Sequence, residues 1–392
     1  MRICLIYDCL FPYTVGGAER WYRNLAERLA ADGHEVTFLT LRQWDRGTRP
    51  DLTGVEVRAV GPRFQLYTSS GRRRILPPLF FGLGVLGHLL RHGRRYDVVH
   101  TASFPYFSLL AAACARRFGS RSRLVVDWHE VWTREYWREY LGRWAGELGW
   151  RVQLRCAQIP QQAFCFSRLH ARRLREEGLR SEATILPGEY AGPLEPPPAR
   201  PREPIVVFAG RHIREKRADA IAPAVALARR EIPELRAAIL GDGPERPAIL
   251  RQVAELGLQD VVDVPGFVPA EEVDATLARA TCMLLPSRRE GYGMVVIEAA
   301  RLGTPSIVVE AADNAAVELV EEGVNGVIAE SAAPEALAAA ILRAQRAGSA
   351  LQRSTSAWFA RNAERLSLSR SLEVVVDSYR GRSGRPLDRC AG

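Results

Sequence analysis

The 392-residue chain is 47% hydrophobic and 25% charged, the make-up of a soluble globular protein with room for two or three cores. It holds no run of ~18 apolar residues, so no membrane-spanning helix is expected. Its seven cysteines, none in a C-x-x-C pair, point to a reducing cytoplasm and away from a zinc site or disulfide framework.

The net charge of +9 is uneven. Residues 1–200 hold 30 arginines and 19 acids, a net +11, whereas residues 201–392 hold 24 bases and 26 acids, a net −2. A basic first half suits an anionic membrane surface or a phosphorylated substrate, and a plain solvated surface equally well. No nucleic-acid-binding motif or basic-aromatic platform is present, so no nucleic-acid partner is expected. Of the 54 basic residues 53 are arginine, and the single lysine is Lys216. A site that needs a compact point charge would resist replacement by the planar guanidinium.

In chain order, "RICLIY" reads as a first strand; it lacks a small-residue cleavage site, so no signal peptide is expected. "GAERWYRNLAERLAADGH" follows as an amphipathic helix closed by Gly33. "EVTFLTL", "VEVRAV", "DVVHTAS", "RLVVDWH" and "AFCFS" are further short β-branched runs separated by helix-length segments. That alternation predicts a parallel sheet covered on both faces. Residues 187–204, "PGEYAGPLEPPPARPREP", hold seven prolines and read as a stiff linker. The alternation then restarts with "IVVFAG", "LRAAILG", "VVDVPG", "CMLLPS", "SIVVE" and "NGVIAE". The expected architecture is α/β, with two Rossmann-like doubly wound domains, 1–186 and 205–357, facing across a cleft. A long helix over 358–380 packs back on the first domain. Ligands of open α/β sheets bind at the C-terminal ends of strands.

Four features at such ends carry chemistry. Gly16-Gly17 lies between strand and helix, where backbone N–H groups can approach a phosphate, although a plain tight turn explains it as well. Arg211 follows the strand that ends at Gly210, and Lys216 stands five residues on; together they can grip a diphosphate without a metal. In "SRREGYGMVVIEAARLGTP", Glu290 occupies a loop and Glu298 the following helix, seven apart among apolar neighbours. Gly291, Tyr292, Gly293 and Met294 open that helix and expose N–H groups; the two carboxylates suit sugar hydroxyls, though an N-terminal charge and a solvated helix face would also account for them. His129 ends a first-domain strand.

With these residues in view, the chain resembles the retaining GT-B glycosyltransferases of family GT4 over nearly its whole length, most specifically in "GRHIREKR" and "EGYGMVVIEA"; "GDGP" and "GFVP" also match. The resemblance implies a nucleotide-sugar co-substrate, UDP- or GDP-linked rather than ADP-linked, and no resident cofactor or metal. Arg211 and Lys216 would bind the diphosphate, Glu290 the donor sugar and Glu298 the ribose. The backbone near Val268 would hold the base, Gly16-Gly17 would close over the phosphates, and His129 would lie near the donor sugar. His129, Glu290, Arg211 and Lys216 form the implied catalytic set. No D-x-D motif occurs, so fixed cations would stabilise the leaving diphosphate. The family's Gly-Gly-x-x-Glu turn is replaced here by "EAADNAAVEL", which leaves Asp313 and Asn314 to line the pocket differently. His129 is followed by Glu130 where relatives carry Asp.

Acceptor contacts are expected from Trp128, Glu130 and Trp132, to a small molecule, a lipid-linked saccharide or a glycan. Trp137, Leu141, Trp144 and Leu148 recur at helical spacing and predict core packing. "GRRRILPPLFFGLGVLGHLLRHGRR" (71–95) is an apolar helix between arginine clusters. It fits either an internal helix of the first domain or peripheral contact with an anionic inner-membrane surface. Two rivals stay open: a sugar-nucleotide epimerase or hydrolase on the same frame, and a non-catalytic basic binding protein.

Overall fold

The computed structural model describes residues 1–380 except 15, 46, 49, 67, 69–72 and 199. Gly71 and Arg72 of the first arginine cluster therefore lie outside the described residues.

The short β-branched runs form strands because both faces of each are covered. In the first unit β1 (Arg2–Ile6), β2 (Glu35–Leu41), β3 (Val55–Gly61), β4 (Val98–Ala102), β5 (Arg123–Trp128), β6 (Gln162–Cys165) and the two-residue β7 (Thr184–Ile185) pair in the order β3-β2-β1-β4-β5-β6-β7. Every pairing is parallel. All five residues of β4 are buried, while the edge strand β3 is largely exposed, as a sheet wrapped by helices requires. The wrapping helices are α1 (Gly17–Ala31), α2 (Leu76–His92), α3 (Tyr106–Arg117), α4 (Arg134–Leu141), α5 (Arg143–Ala157) and α6 (Arg168–Glu176).

In the second unit β8 (Glu203–Ala209), β9 (Arg236–Leu240), β10 (Val262–Gly266), β11 (Ala280–Leu285), β13 (Ser306–Val309) and β15 (Gly326–Ala329) pair in the order β10-β9-β8-β11-β13-β15, again parallel. A separate two-strand ladder joins β12 (Arg289–Glu290) to β14 (Asp313–Asn314). Helices α7 (Ile221–Ala228), α8 (Arg246–Glu255), α9 (Ala270–Arg279), α10 (Met294–Arg301) and the long α11 (Pro334–Leu366) complete it. Among the described residues, twelve of the fifteen strands coincide with the apolar runs of the sequence; the exceptions, β7, β12 and β14, are two residues each, too short to carry periodicity.

Three expectations are corrected. The helix foreseen over 358–380 is two helices, broken at the extended Ser367 (φ −71°, ψ 143°). Trp358 and Phe359 lie within α11 and are buried in the second unit, whereas α12 (Leu368–Tyr379) belongs to the first. There the Tyr379 hydroxyl lies 2.5 Å from His100 Nδ1, and the Gly188 N–H donates to Ser371 Oγ at 3.1 Å. The linker foreseen over 187–204 is shorter, because the first unit extends to Glu189 and β8 already begins at Glu203. Pro204 fits inside that strand because the β8–β11 register shifts beside it, where no ladder N–H is needed. The Trp137–Leu148 stripe is not one face: Gly142, at φ 85°, separates α4 from α5, leaving Trp137 buried but Trp144 82% exposed and Leu148 65% exposed.

Candidate active site

In the second unit the ends of β8, β9 and β10 are laced by backbone bonds. The Gly210 N–H donates to Leu240 O at 3.0 Å, His212 to Asp242 O at 2.8 Å, and Gly241 to Gly266 O at 2.8 Å. Gly241 adopts φ 122°, and a Cβ there would strike the Gly210 carbonyl; only glycine lets the two loops approach this closely. The result is a groove of about 290 Å³ lined by Gly210, Arg211, Gly241, Asp242, Phe267 and Val268. Arg211 and Val268, both expected at the site, thus share one groove. Arg211 is exposed and forms no ion pair among the described residues. The next residue, His212, is fully buried, and burial lowers its pKa.

Lys216 ends a 3-10 turn over Arg214–Lys216, directly before Arg217 in the left-handed region (φ 49°), a strained conformation for a side-chain-bearing residue. The Arg288 N–H bonds to Glu215 O at 2.8 Å and holds the turn against the loop after β11. Lys216 Nζ then meets Glu290 Oε1 at 2.5 Å, and the Ser287 hydroxyl donates to the same oxygen at 2.8 Å. Oε2 of Glu290 accepts no hydrogen bond among the described residues. The side chains are 20% and 8% exposed, so the ion pair is shielded yet reachable.

The segment that departs from the family pattern braces this loop. Glu290 pairs with Asn314 in the β12–β14 ladder. The Asn314 amide donates to Ser287 O at 3.2 Å and Val309 O at 2.8 Å, and its oxygen accepts from the Ala316 N–H at 3.1 Å. Sequence reasoning missed Ser287 and this bracing role of Asn314; the unsplit apolar context of "DNAAVEL" was the only available signal. Gly293 caps α10 at φ 103°, where a Cβ would come within 2.6 Å of Ala316 Cβ. Gly291, Tyr292 and Met294 surround this cap, with Tyr292 buried. Glu298 is half-buried on α10, and its charge is felt at Tyr190, whose hydroxyl burial pushes up to about 12.

In the first unit Gly16 caps α1, and the buried Glu19 folds back so that a Cβ on Gly16 would meet its carboxylate. His129 follows β5 and stacks on Phe166 with ring centroids 4.4 Å apart; its Nδ1 lies 3.8 Å from Glu189 Oε1. Burial lowers the His129 pKa, against the opposing pull of Asp127 and Glu130, and burial pushes Glu189 up to about 8, with Asp127 adding to the rise. Next to them Asp127 is wholly buried and accepts from Trp21 Nε1 at 2.7 Å, with His100 Nε2 at 2.8 Å. Burial would raise its pKa, but the charge and hydrogen bond of His100 hold it below the ordinary value. None of Glu189, Asp127 or His100 was singled out from sequence, because a single buried polar residue leaves no periodic trace.

Of the expected acceptor residues, Trp128 is corrected. It is fully buried, with Nε1 donating to Gln161 Oε1 at 2.9 Å, and is a core residue. Trp132 is partly exposed in an aromatic cluster with Phe104, Tyr136 and Tyr140, and its Nε1 donates to Glu130 at 2.7 Å. No group of three or more His, Cys, Asp or Glu that could hold a metal exists among the described residues.

Two parallel doubly wound units, with a shielded lysine–glutamate pair and a groove at the strand ends of the second, define a protein of the GT-B fold. Solved structures agree: sucrose-phosphate synthase from Thermosynechococcus elongatus superimposes at TM-score 0.77 over 97% of this chain and 98% of its own, at 20% identity. Anabaena Alr3699/HepE in complex with UDP does so at 0.73, over 97% and 100%, also at 20% identity. Residues 15–188 match the sequence profile of Glycosyltransferase Family 4, and residues 195–357 that of Glycosyl transferases group 1. The chain belongs to this glycosyltransferase family. A similar protein is the alpha-D-kanosaminyltransferase of Streptomyces kanamyceticus, 30% identical over 125 residues, which are 32% of each chain. The match thus spans about a third of that relative's length.

Proposed function

We propose that the protein moves a sugar from a nucleotide-diphosphate donor, UDP- or GDP-linked, to a hydroxyl or other nucleophile of an acceptor, retaining the anomeric configuration and using no metal. The observation that carries this reading is the Lys216–Glu290–Ser287 cluster, whose lysine follows five residues after Arg211 of the groove. Arg211 and Lys216 grip the diphosphate and stabilise the charge that grows on it as the bond from the anomeric carbon to the phosphate oxygen breaks. Glu290, anchored through one oxygen, offers the other to a sugar hydroxyl. Glu298 takes the ribose, Val268 and the groove take the base, and Gly291–Met294 line the sugar end. The acceptor oxygen attacks the face that the diphosphate vacates, and its proton passes to the departing phosphate. His129 and the Gly16-Gly17 turn belong to this donor set, and Glu130 and Trp132 to the acceptor side. The UDP complex of the structural neighbour Alr3699/HepE supports a nucleotide donor. No helix among the described residues is long and apolar enough to cross a membrane, and peripheral contact with an anionic inner-membrane surface is part of the reading.

Calorimetry with UDP, GDP, ADP and their glucose conjugates tests it. Binding of at least one is expected, weakened about tenfold to a hundredfold in Lys216→Ala and in Glu298→Ala, because each removes a charged partner of a bound anion or hydroxyl. No binding across the panel would overturn the reading. Release of free sugar in the presence of every candidate acceptor would replace transfer by hydrolysis.

A further inference from the structure

Helix α2 is apolar around its whole circumference, yet only one side of it is covered. Phe81, Gly82, Val85 and Leu89 face the interior. On the opposite side Leu76, Leu79, Phe80, Leu83 and Leu90 are 64, 39, 47, 57 and 53% exposed. Their spacing of i, i+3, i+4, i+7 and i+14 puts them in one stripe about 21 Å long. A helix hydrophobic all round is normally buried all round. The neighbouring α3 widens the patch: Phe107, Leu110 and Cys114 meet Leu79, Leu83 and Leu86 across an apolar groove of about 240 Å³.

The rim has one sign. Arg74, Arg91, Arg94, Arg95 and Arg117 are exposed, and among the described residues none of them pairs with a carboxylate. The guanidinium groups of Arg74 and Arg91 donate to Gln65 Oε1 and to the Gly87 carbonyl. Between residues 57 and 126 stand twelve arginines and a single acid, Asp97, which accepts the Arg2 N–H at 2.7 Å. A two-fold contact between copies would press one arginine rim onto the other, which like charges oppose. An apolar stripe with a cationic margin, on a helix too short to span and packed along one side, complements a negatively charged lipid surface.

We propose that the α2–α3 face docks in the plane of an anionic bilayer, with the Leu76–Leu90 stripe at the acyl boundary and the arginines among the headgroups. This places the membrane contact of the proposed function on named residues and rests on that contact alone, independent of sugar transfer.

The test is flotation of the full chain, without nucleotide, on phosphatidylcholine vesicles and on about 3:1 phosphatidylcholine–phosphatidylglycerol vesicles. Flotation only with the anionic vesicles, and weaker at high salt, is expected. Leu83→Asp and the double variant Arg91→Glu/Arg94→Glu should each lower partitioning about tenfold at an unchanged melting temperature. Absence of flotation, or equal flotation of all three proteins, overturns the proposal. So does a concentration-dependent dimer that Leu83→Asp abolishes in the absence of vesicles, which would give the face to a second copy. Each of these failures leaves nucleotide binding untouched, so the transferase reading stands or falls separately.

Discussion

The two units each gather polar groups where strands end, but to opposite effect. Near the end of β5, Asp127 is sealed against Trp21 of α1 and His100 of β4, and His100 in turn meets the Tyr379 hydroxyl of α12. Beyond β8 and β11, Lys216 and Glu290 are shielded but reachable, and among the described residues one oxygen of Glu290 accepts no hydrogen bond and Arg211, beside a groove, forms no ion pair. A charge paired deep in the core is out of a ligand's reach, and its worth is structural; a half-satisfied one at a surface retains bonding capacity for another molecule. Strong burial alone therefore does not mark a cluster as a binding site.

Removing Asp127 should break the comparison most visibly. Asp127→Ala strands His100 and the Trp21 N–H in the core and should cost about 3–5 kcal/mol, read as a collapse of the melting temperature or loss of soluble protein. Lys216→Ala, by contrast, should cost about 1 kcal/mol of stability while nucleotide affinity falls by the larger factor given above; equal damage to stability by both variants would erase the distinction between the clusters.

Glu189 sharpens the contrast through pH. Its folded pKa of about 8 lies above the ordinary carboxylate value, so the native state holds a proton that the unfolded chain releases. Its contribution is intact below the unfolded value and is lost as pH rises toward about 8. Glu189→Gln should accordingly raise the melting temperature by an increment that grows across that window and vanishes in acid; a pH-independent difference would refute the buried, protonated carboxyl. Tyr379→Phe deletes one buried hydrogen bond to His100 and should cost about 1 kcal/mol, with nucleotide binding unchanged. Smallest of all, Trp144→Ser at an 82% exposed position should shift stability by less than about 0.5 kcal/mol; a loss like that of a core tryptophan would restore the helical stripe that Gly142 interrupts.

Much of the candidate site was legible because its chemistry is local. Arg211, Lys216 and Glu290 lie within a few residues of strand ends, and glycines at 241 and 293 advertise the loops that present them. Ser287 and Asn314 were not legible, since their roles depend on the β12–β14 ladder, a contact of two residues across 24 positions of sequence. Trp128 was misplaced for a related reason: the last residue of a strand points to the core or to solvent according to the pleat, and only the register decides which.

Periodicity and turn chemistry alone set the succession of strands and helices, the two parallel sheets and the stretch at which one unit gives way to the next, because these follow from interactions between residues near in sequence. Which carboxylates are sealed, which cation meets which acid, and which side of α2 is left bare are decided by tertiary packing. Burial and ion pairing are properties of a neighbourhood assembled from distant segments, and a linear pattern carries no record of that neighbourhood until the chain has folded.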